Sequence, residues 1–278
     1  MGVRGVMRRR GRWTALLLAL PLGLLPALPL SSRAEQPNDL YQMTVIVTGY
    51  DMRSRPSGFA QALRWVLVNV SGEPRLRADP RVSALAAHAD KLVASFDYVD
   101  QMAGIKYHDE QGTYDRPYNL TVKFVPAKID QALAGLGEKP WRGKRPVVVP
   151  ALMVRGFNGA SYRLSAESLA GADQRTAFAD VARDFYMKVR FPTEADFAAW
   201  GNGTGRVPAA PARETADEAV VAGTLEFNRS IPGWVGSWRL RWRGIDYAWG
   251  IKGVNYDEAF RDIVRGVLRL ASGHRGPV

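Results

Sequence analysis

The chain has 278 residues and no cysteine, which excludes disulfide bonds and leaves the burial of apolar side chains to hold the fold together. A chain of this length buries roughly 70 to 75% of its unfolded surface, in one domain of two lobes or in two domains. The formal net charge is +11, but six arginines and no acid lie before residue 34, so the remainder carries +5. That small excess does not indicate a nucleic-acid-binding protein.

The first 34 residues have the three parts of a secretory signal peptide. "MGVRGVMRRRGRW" is basic, "TALLLALPLGLLPALPL" is apolar, and Ser32 and Ala34 have the small-x-small spacing of a signal-peptidase site. We predict cleavage between Ala34 and Glu35, by the general secretory route, and a periplasmic or otherwise exported protein. The alternative is a retained membrane anchor, which the three prolines of the apolar run disfavour because they break a spanning helix. No later segment is apolar for long enough to cross a membrane.

Residues 35–141 predict an N-terminal αβ lobe. "LYQMTVIVTGY" indicates a strand, and "SGFAQALRWVLVNVSG" indicates a helix that ends at Gly72. A second helix is predicted from Asp79, with an apolar face that continues to Phe96. "YNLTVKF" alternates apolar and polar residues and predicts a half-buried strand, after which "PAKIDQALAGLG" closes the lobe as a short helix.

A histidine and two acids stand side by side in "HDEQGTYDRP", in a chain with three histidines. Aspartate, glycine and proline are turn residues, so we interpret His108, Asp109 and Glu110 as the polar end of a hairpin. Neighbouring strand residues point to opposite faces and do not converge on one ion without a bulge. A metal site, an acid/base site or a partner-binding loop are the alternatives.

Four separated motifs resemble one known family. "VLVNVSGEPRL" at 66–76, "LVASFDYVDQ" at 92–101, "DEQGTYDRPYNLTVKF" at 109–124 and "KIDQALAGLGEKPW" at 128–141 are together similar to the bacterial domain-of-unknown-function 2066 family. The resemblance covers roughly 40–200 and implies an exported protein, chiefly of Gram-negative bacteria. It implies no catalytic residues, because that family has no established activity. Members often have arginine where this chain has Tyr114, which weakens the case for an anion site there.

The rest of the chain predicts a second lobe in three parts. A central αβ segment, 142–200, contains the strand "RPVVVPALMVRG", its hairpin partner "SYRLSA", a helix, the short strand "KVRFP", and a helix capped by Thr193. Residues 201–218 predict a flexible loop, because glycine, proline and alanine dominate there. Residues 219–278 predict strands and a closing helix that begins with a capping box of Asn255 and Glu258. We place Asp257, Arg261, Asp262, Arg265 and Arg269 on the outer face of that helix.

Arginines alternate with apolar residues in "SWRLRWR". Alternation places Trp238, Leu240 and Trp242 in the core and Arg239, Arg241 and Arg243 on the opposite face. Stacking of bases needs rings and charges on one surface, so this arrangement disfavours nucleic acid. A charged strand face is most often simply solvated, and the alternative is an anion-binding or partner-binding surface formed by the three arginines.

The sequence therefore predicts an α+β protein with mixed αβ organisation, in two lobes, each a small mixed sheet covered by amphipathic helices. It contains no nucleophile elbow, Ser-x-x-Lys, His-Glu-x-x-His or phosphate loop. We expect a soluble, exported, non-catalytic binding or assembly factor of the bacterial cell envelope, without cofactor or metal. Its partner is an envelope protein or an anionic envelope component. The alternative is a periplasmic hydrolase that uses the region of His108, Asp109 and Glu110.

Overall fold

The computed structural model describes residues 1–2, 38–104, 116–201, 215 and 217–277. The predicted leader, with its cleavage site at Ala34 and Glu35, lies outside these residues apart from the first two. Most of the predicted loop 201–218 also lies outside them, and Glu218 already belongs to a strand. The described residues from 38 onward form one compact unit.

The first sheet has three antiparallel strands, β1 (Gln42–Thr48), β2 (Val93–Asp100) and β3 (Pro117–Phe124), in the order β1-β3-β2. Helix α1 (Arg55–Ser71) packs on the face of β1 that carries Met43, Val45 and Val47, because alternation turns these side chains to one side. The helix ends as predicted at Gly72, whose φ of 76° suits a residue without a Cβ.

The second predicted helix is much shorter than its apolar pattern suggests. Helix α2 (Pro80–Ala86) begins at Asp79, whose carboxylate accepts from the Arg81 N–H, and a 3-10 turn follows at Ala89–Leu92. Residues from Val93 onward pair with β3, and Phe96 lies opposite Val122. The expected helical face up to Phe96 was wrong, because pairing with a neighbouring strand overrides a local period.

Helix α3 (Pro126–Gly135) lies beside α2, and contacts at both ends fix the relative direction of the two helices. Arg81, in the first turn of α2, donates from Nη1 to the Leu136 carbonyl at 3.2 Å. Lys128, in the first turn of α3, donates from Nζ to the Lys91 carbonyl at 2.5 Å. The start of α2 therefore lies at the end of α3, and the two helices run antiparallel.

The second sheet is mixed and has five strands in the order β5-β4-β6-β7-β8. The strands are β4 (Val147–Arg155), β5 (Ser161–Arg163), β6 (Glu218–Asn228), β7 (Gly233–Trp242) and β8 (Ile245–Val254). β4 and β6 are parallel and the other neighbours antiparallel. The expected hairpin of "SYRLSA" is confirmed, whereas "KVRFP" makes only an isolated bridge between Val189 and Val148.

Helices cover both faces of this sheet. α4 (Ala172–Asp184) and α6 (Tyr256–Ala271) pack on one face, where Phe178 and Phe260 meet at 5.0 Å between ring centroids. α5 (Glu194–Ala199) covers part of the other face through Phe197. Its predicted cap is confirmed, because the Thr193 side chain accepts from the Asp196 N–H at 3.0 Å.

Two charged side chains of α6 that we expected on its outer face are buried. Asp262 accepts a hydrogen bond from the Trp238 indole at 2.9 Å, and burial raises the pKa of this carboxyl. Arg269 donates from Nε to Glu73 at 2.8 Å. The expected capping box is half formed, because Asn255 caps the Glu258 N–H while the Glu258 carboxylate pairs with Arg265 instead.

The two sheets share one hydrophobic core. A single cluster of buried residues contains Val45 and Leu120 of the first sheet together with Leu152 and Trp238 of the second. The predicted α+β class is confirmed. None of the helices in the described ranges is long and apolar enough to cross a membrane.

Candidate functional site

The arginines of the predicted stripe do not all lie on one strand face. Arg239 and Arg241 are exposed on β7, and the intervening Leu240 is buried as alternation requires. Arg243 occupies the turn after the strand, with a φ of 52°. Arg241 lies opposite Asp246 and pairs with it at 3.9 Å, so part of the positive charge is offset.

The polar cluster of His108, Asp109 and Glu110 lies outside the described residues. Its flanks are the antiparallel strands β2 and β3, which pair from Val93 with Phe124 to Asp100 with Tyr118. These three residues therefore stay a prediction.

A groove of about 750 Å³ lies between α2 and α3. Its floor consists of Leu85, Leu92, Ala132 and Leu136, which also pack against the protein core, with Ala84 beside them. Ala84 and Leu85 of α2 and Ala132 of α3 face the groove because the other faces of the two helices insert Val82, Ile129 and Leu133 into the core, while Leu92 comes from the 3-10 turn and Leu136 from the residue after α3. The volume falls within the range of about 300 to 1,000 Å³ that small-molecule sites occupy.

The rim of the groove is basic. Arg81, His88, Lys91 and Lys128 line it, and no carboxylate stands among its lining residues. Arg81 is neutralised by Asp79, whose carboxylate lies 2.7 Å from Nη2. Within the described part of the chain, neither the Lys91 ammonium nor the Lys128 ammonium has an acidic partner. The uncompensated charge is thus concentrated where Lys91 and Lys128 meet, at one end of the groove.

A second polar cluster joins the N-terminal lobe to the residues that follow α6. His274 Nε2 lies 3.0 Å from Glu138 and 3.8 Å from Glu73, and the ligand atoms of the three residues lie within 4.8 Å of one another. Three such atoms can hold a metal ion. However, Arg269 Nε already donates to both Glu73 oxygens, at 3.0 and 2.8 Å. A cation here competes with a buried guanidinium, so the cluster works as an ion-pair network.

Sequence reasoning missed both the groove and this network. The groove residues come from two segments, 81–92 and 128–136, and only the antiparallel arrangement of α2 and α3 brings them together. The network joins Glu73 to Arg269, 196 positions apart. In the sequence, the groove is indicated only by a basic residue that stands four positions before an apolar one in each helix, Arg81 before Leu85 and Lys128 before Ala132.

Comparison with known proteins gives one result. Residues 34–142 match the model of a domain of unknown function, DUF8605, and not the 2066 family that the motifs resemble. Searches of curated proteins and of solved structures found no match. The groove lies wholly within the matched segment, whereas Arg239, Arg241 and Arg243 lie beyond it.

Proposed function

We propose that this chain is an exported, non-catalytic binding or assembly protein of the bacterial cell envelope. The observation that supports binding is the groove between α2 and α3, which combines an apolar floor with a basic rim. General acid/base and nucleophilic catalysis need a proton-transferring side chain at a cavity, paired with a second such group or with a nucleophile. Among the residues that line this groove, His88 has neither a carboxylate nor a hydroxyl group to pair with.

Export is supported by the composition of the first 34 residues. The four motifs also resemble the proteins of the 2066 family, which are exported, and this resemblance is our second reason to propose export. Together these features favour a partner in the envelope, either a protein or an anionic component, over nucleic acid.

The proposal is tested by separating the envelope and cytosolic fractions of cells that express the full chain and measuring the intact mass. We expect a chain that begins at Glu35, in the envelope fraction. Ala34→Asp places a charged residue where the peptidase needs a small one, so this variant should keep its leader. Full-length wild-type protein in the cytosol, with its leading arginines intact, contradicts the proposal.

Crosslinking in the same envelope fraction tests the arginine surface. Arg239→Glu combined with Arg241→Glu should lose partners that the wild type retains, because it reverses two exposed charges on one strand face. Lys123→Glu combined with Lys139→Glu changes the net charge equally at exposed positions elsewhere and serves as the control. Identical partners in all three proteins remove Arg239 and Arg241 from the binding surface.

A further inference from the structure

We propose that the groove between α2 and α3 binds a single-chain lipid anion, with the acyl chain on the apolar floor and the acidic headgroup at Lys91 and Lys128. This inference rests on the proposed function only in taking the groove as the ligand site. It adds the chemical class of the ligand.

The floor of the groove selects an aliphatic chain. Leu85, Leu92 and Leu136 offer branched hydrocarbon and Ala84 and Ala132 offer little bulk, so the surface accommodates a flexible chain along the helices. The only ring among the described lining residues is the His88 imidazole at the rim, so the floor itself offers no aromatic surface on which a planar ligand could stack. α3 has 10 residues, which makes the groove about 15 Å long at 1.5 Å per residue. A linear hydrocarbon matches such a channel.

The rim selects a negative headgroup and its position. Lys91 and Lys128, whose ammonium groups have no acidic partner in the described chain, both line one end of the groove, where the Lys128 ammonium donates to the Lys91 backbone carbonyl. At the opposite end the Arg81 guanidinium is already occupied by Asp79 and by the Leu136 carbonyl. The electrostatic attraction of an anionic headgroup is therefore strongest at the lysine end. This position of the headgroup fixes the direction in which the acyl chain lies along the groove.

The size of the groove favours a small ligand over a protein. Eleven residues line it, whereas a standard protein interface uses about 20 to 30 residues on each side. An acidic amphipathic peptide shares the charge pattern and is the competing occupant that the experiment distinguishes.

The test is calorimetric titration of the mature chain with decanoate, dodecanoate and tetradecanoate, each below its micelle-forming concentration. We expect the affinity to rise roughly tenfold from decanoate to dodecanoate, because each buried methylene contributes a similar transfer free energy, and to rise less for tetradecanoate, whose extended chain is longer than the groove. Dodecyltrimethylammonium has a dodecyl chain and a cationic headgroup, and it should bind at least about tenfold more weakly than dodecanoate. Equal binding of the two headgroups, or no binding of the three carboxylates, overturns the proposal.

Two variant pairs locate the binding site. Lys91→Glu combined with Lys128→Glu should weaken dodecanoate binding by about tenfold or more, whereas Lys123→Glu combined with Lys139→Glu, which moves the same charge outside the groove, should leave it within about twofold. Ala84→Trp fills the groove and should abolish binding, and Ala134→Trp on the exposed side of α3 should not. Equal losses in a variant and its control overturn the assignment of the site.

The titrations of the wild-type protein with the three carboxylates and the cationic amphiphile need no variant. They can therefore refute the proposal even if one of the variants fails to fold. An acidic helical peptide that binds the groove while all three carboxylates fail replaces the lipid with a protein partner. That result contradicts this inference and leaves the proposed envelope function standing, whereas cytosolic full-length protein contradicts the proposed function alone.

Discussion

Tyr41 gives the fold a pH dependence in alkaline solution. Its hydroxyl donates to Asp130 at 2.7 Å, and burial together with that carboxylate raises the pKa of Tyr41 to about 12. An unfolded tyrosine ionises near pH 10, so the unfolded chain loses this proton first. The contribution of Tyr41 to stability is therefore complete below about pH 10 and is lost as the pH rises towards 12.

Tyr41→Phe should accordingly flatten the fall in unfolding free energy between about pH 10 and 12. Urea denaturation at a series of pH values measures this directly, and Tyr50→Phe, at an exposed ring, is the matched control. If wild type and Tyr41→Phe lose stability in parallel over that range, the hydroxyl is not held by Asp130.

Buried polar residues show where residue-level prediction from the sequence stops. Alternation correctly placed Trp238 in the core, but the indole N–H needs a partner there, and Asp262 supplies it. A helical period assigns an aspartate to the outer face because charge is normally solvated. Only the position of β7 under α6 reveals that this carboxylate is buried and hydrogen-bonded.

The β7–β8 hairpin carries a local strain at the scale of an element. Trp242 pairs with Ile245, which leaves Arg243 and Gly244 as a two-residue connection with φ of 52° and 77°. A type I′ turn requires positive φ at both positions and prefers Asn-Gly, since asparagine tolerates the left-handed region better than arginine.

Arg243→Asn should therefore stabilise the protein by about 0.5 to 1 kcal/mol. Thermal unfolding monitored by circular dichroism is a suitable measurement. Arg239→Asn removes the same charge from a strand position and should not stabilise it, so it separates turn geometry from charge. A lower midpoint for Arg243→Asn would mean that the contact of the Arg243 guanidinium with the Trp242 ring, 6.0 Å from the ring centroid, outweighs the strain.

Helices and strands with a strong local sequence pattern were predictable, whereas those whose limits depend on contacts with distant segments were not. The strands β3 and β6, the helix α1 and the Thr193 cap follow from periodicity and turn residues in short segments. The length of α2 could not be predicted in this way, because "VASFDYV" suits either a helical face or a strand. In the structure this segment is a strand because it pairs with β3. The groove escaped prediction for the same reason, since it depends on how α2 lies against α3.

At the scale of the whole molecule, the contact between Glu73 and Arg269 joins the first lobe to the last helix. Both side chains are buried, with 7% of each exposed, and Ser272 adds a hydrogen bond to the Gly72 carbonyl at 3.0 Å. Removing one partner of a buried ion pair leaves an uncompensated charge, which costs about 3 to 5 kcal/mol.

Arg269→Met should destabilise the protein by about that amount in urea denaturation, and adding Glu73→Gln should recover part of the loss. The control is Arg183→Met, which breaks an exposed pair with Asp180 and should cost about 0 to 1 kcal/mol. A loss below about 1 kcal/mol for Arg269→Met would show that the pair contributes no more than a surface contact.

The position of α6 also sets the time at which the protein is able to fold. Phe260, Ile263 and Val267 of this helix complete a core that begins at Leu40, so the hydrophobic interior closes only after the ribosome has made α6. Contacts between such distant positions slow folding. A nascent chain that stops before α6 has no closed interior, and its exposed apolar surface makes it prone to aggregate until this helix has been made.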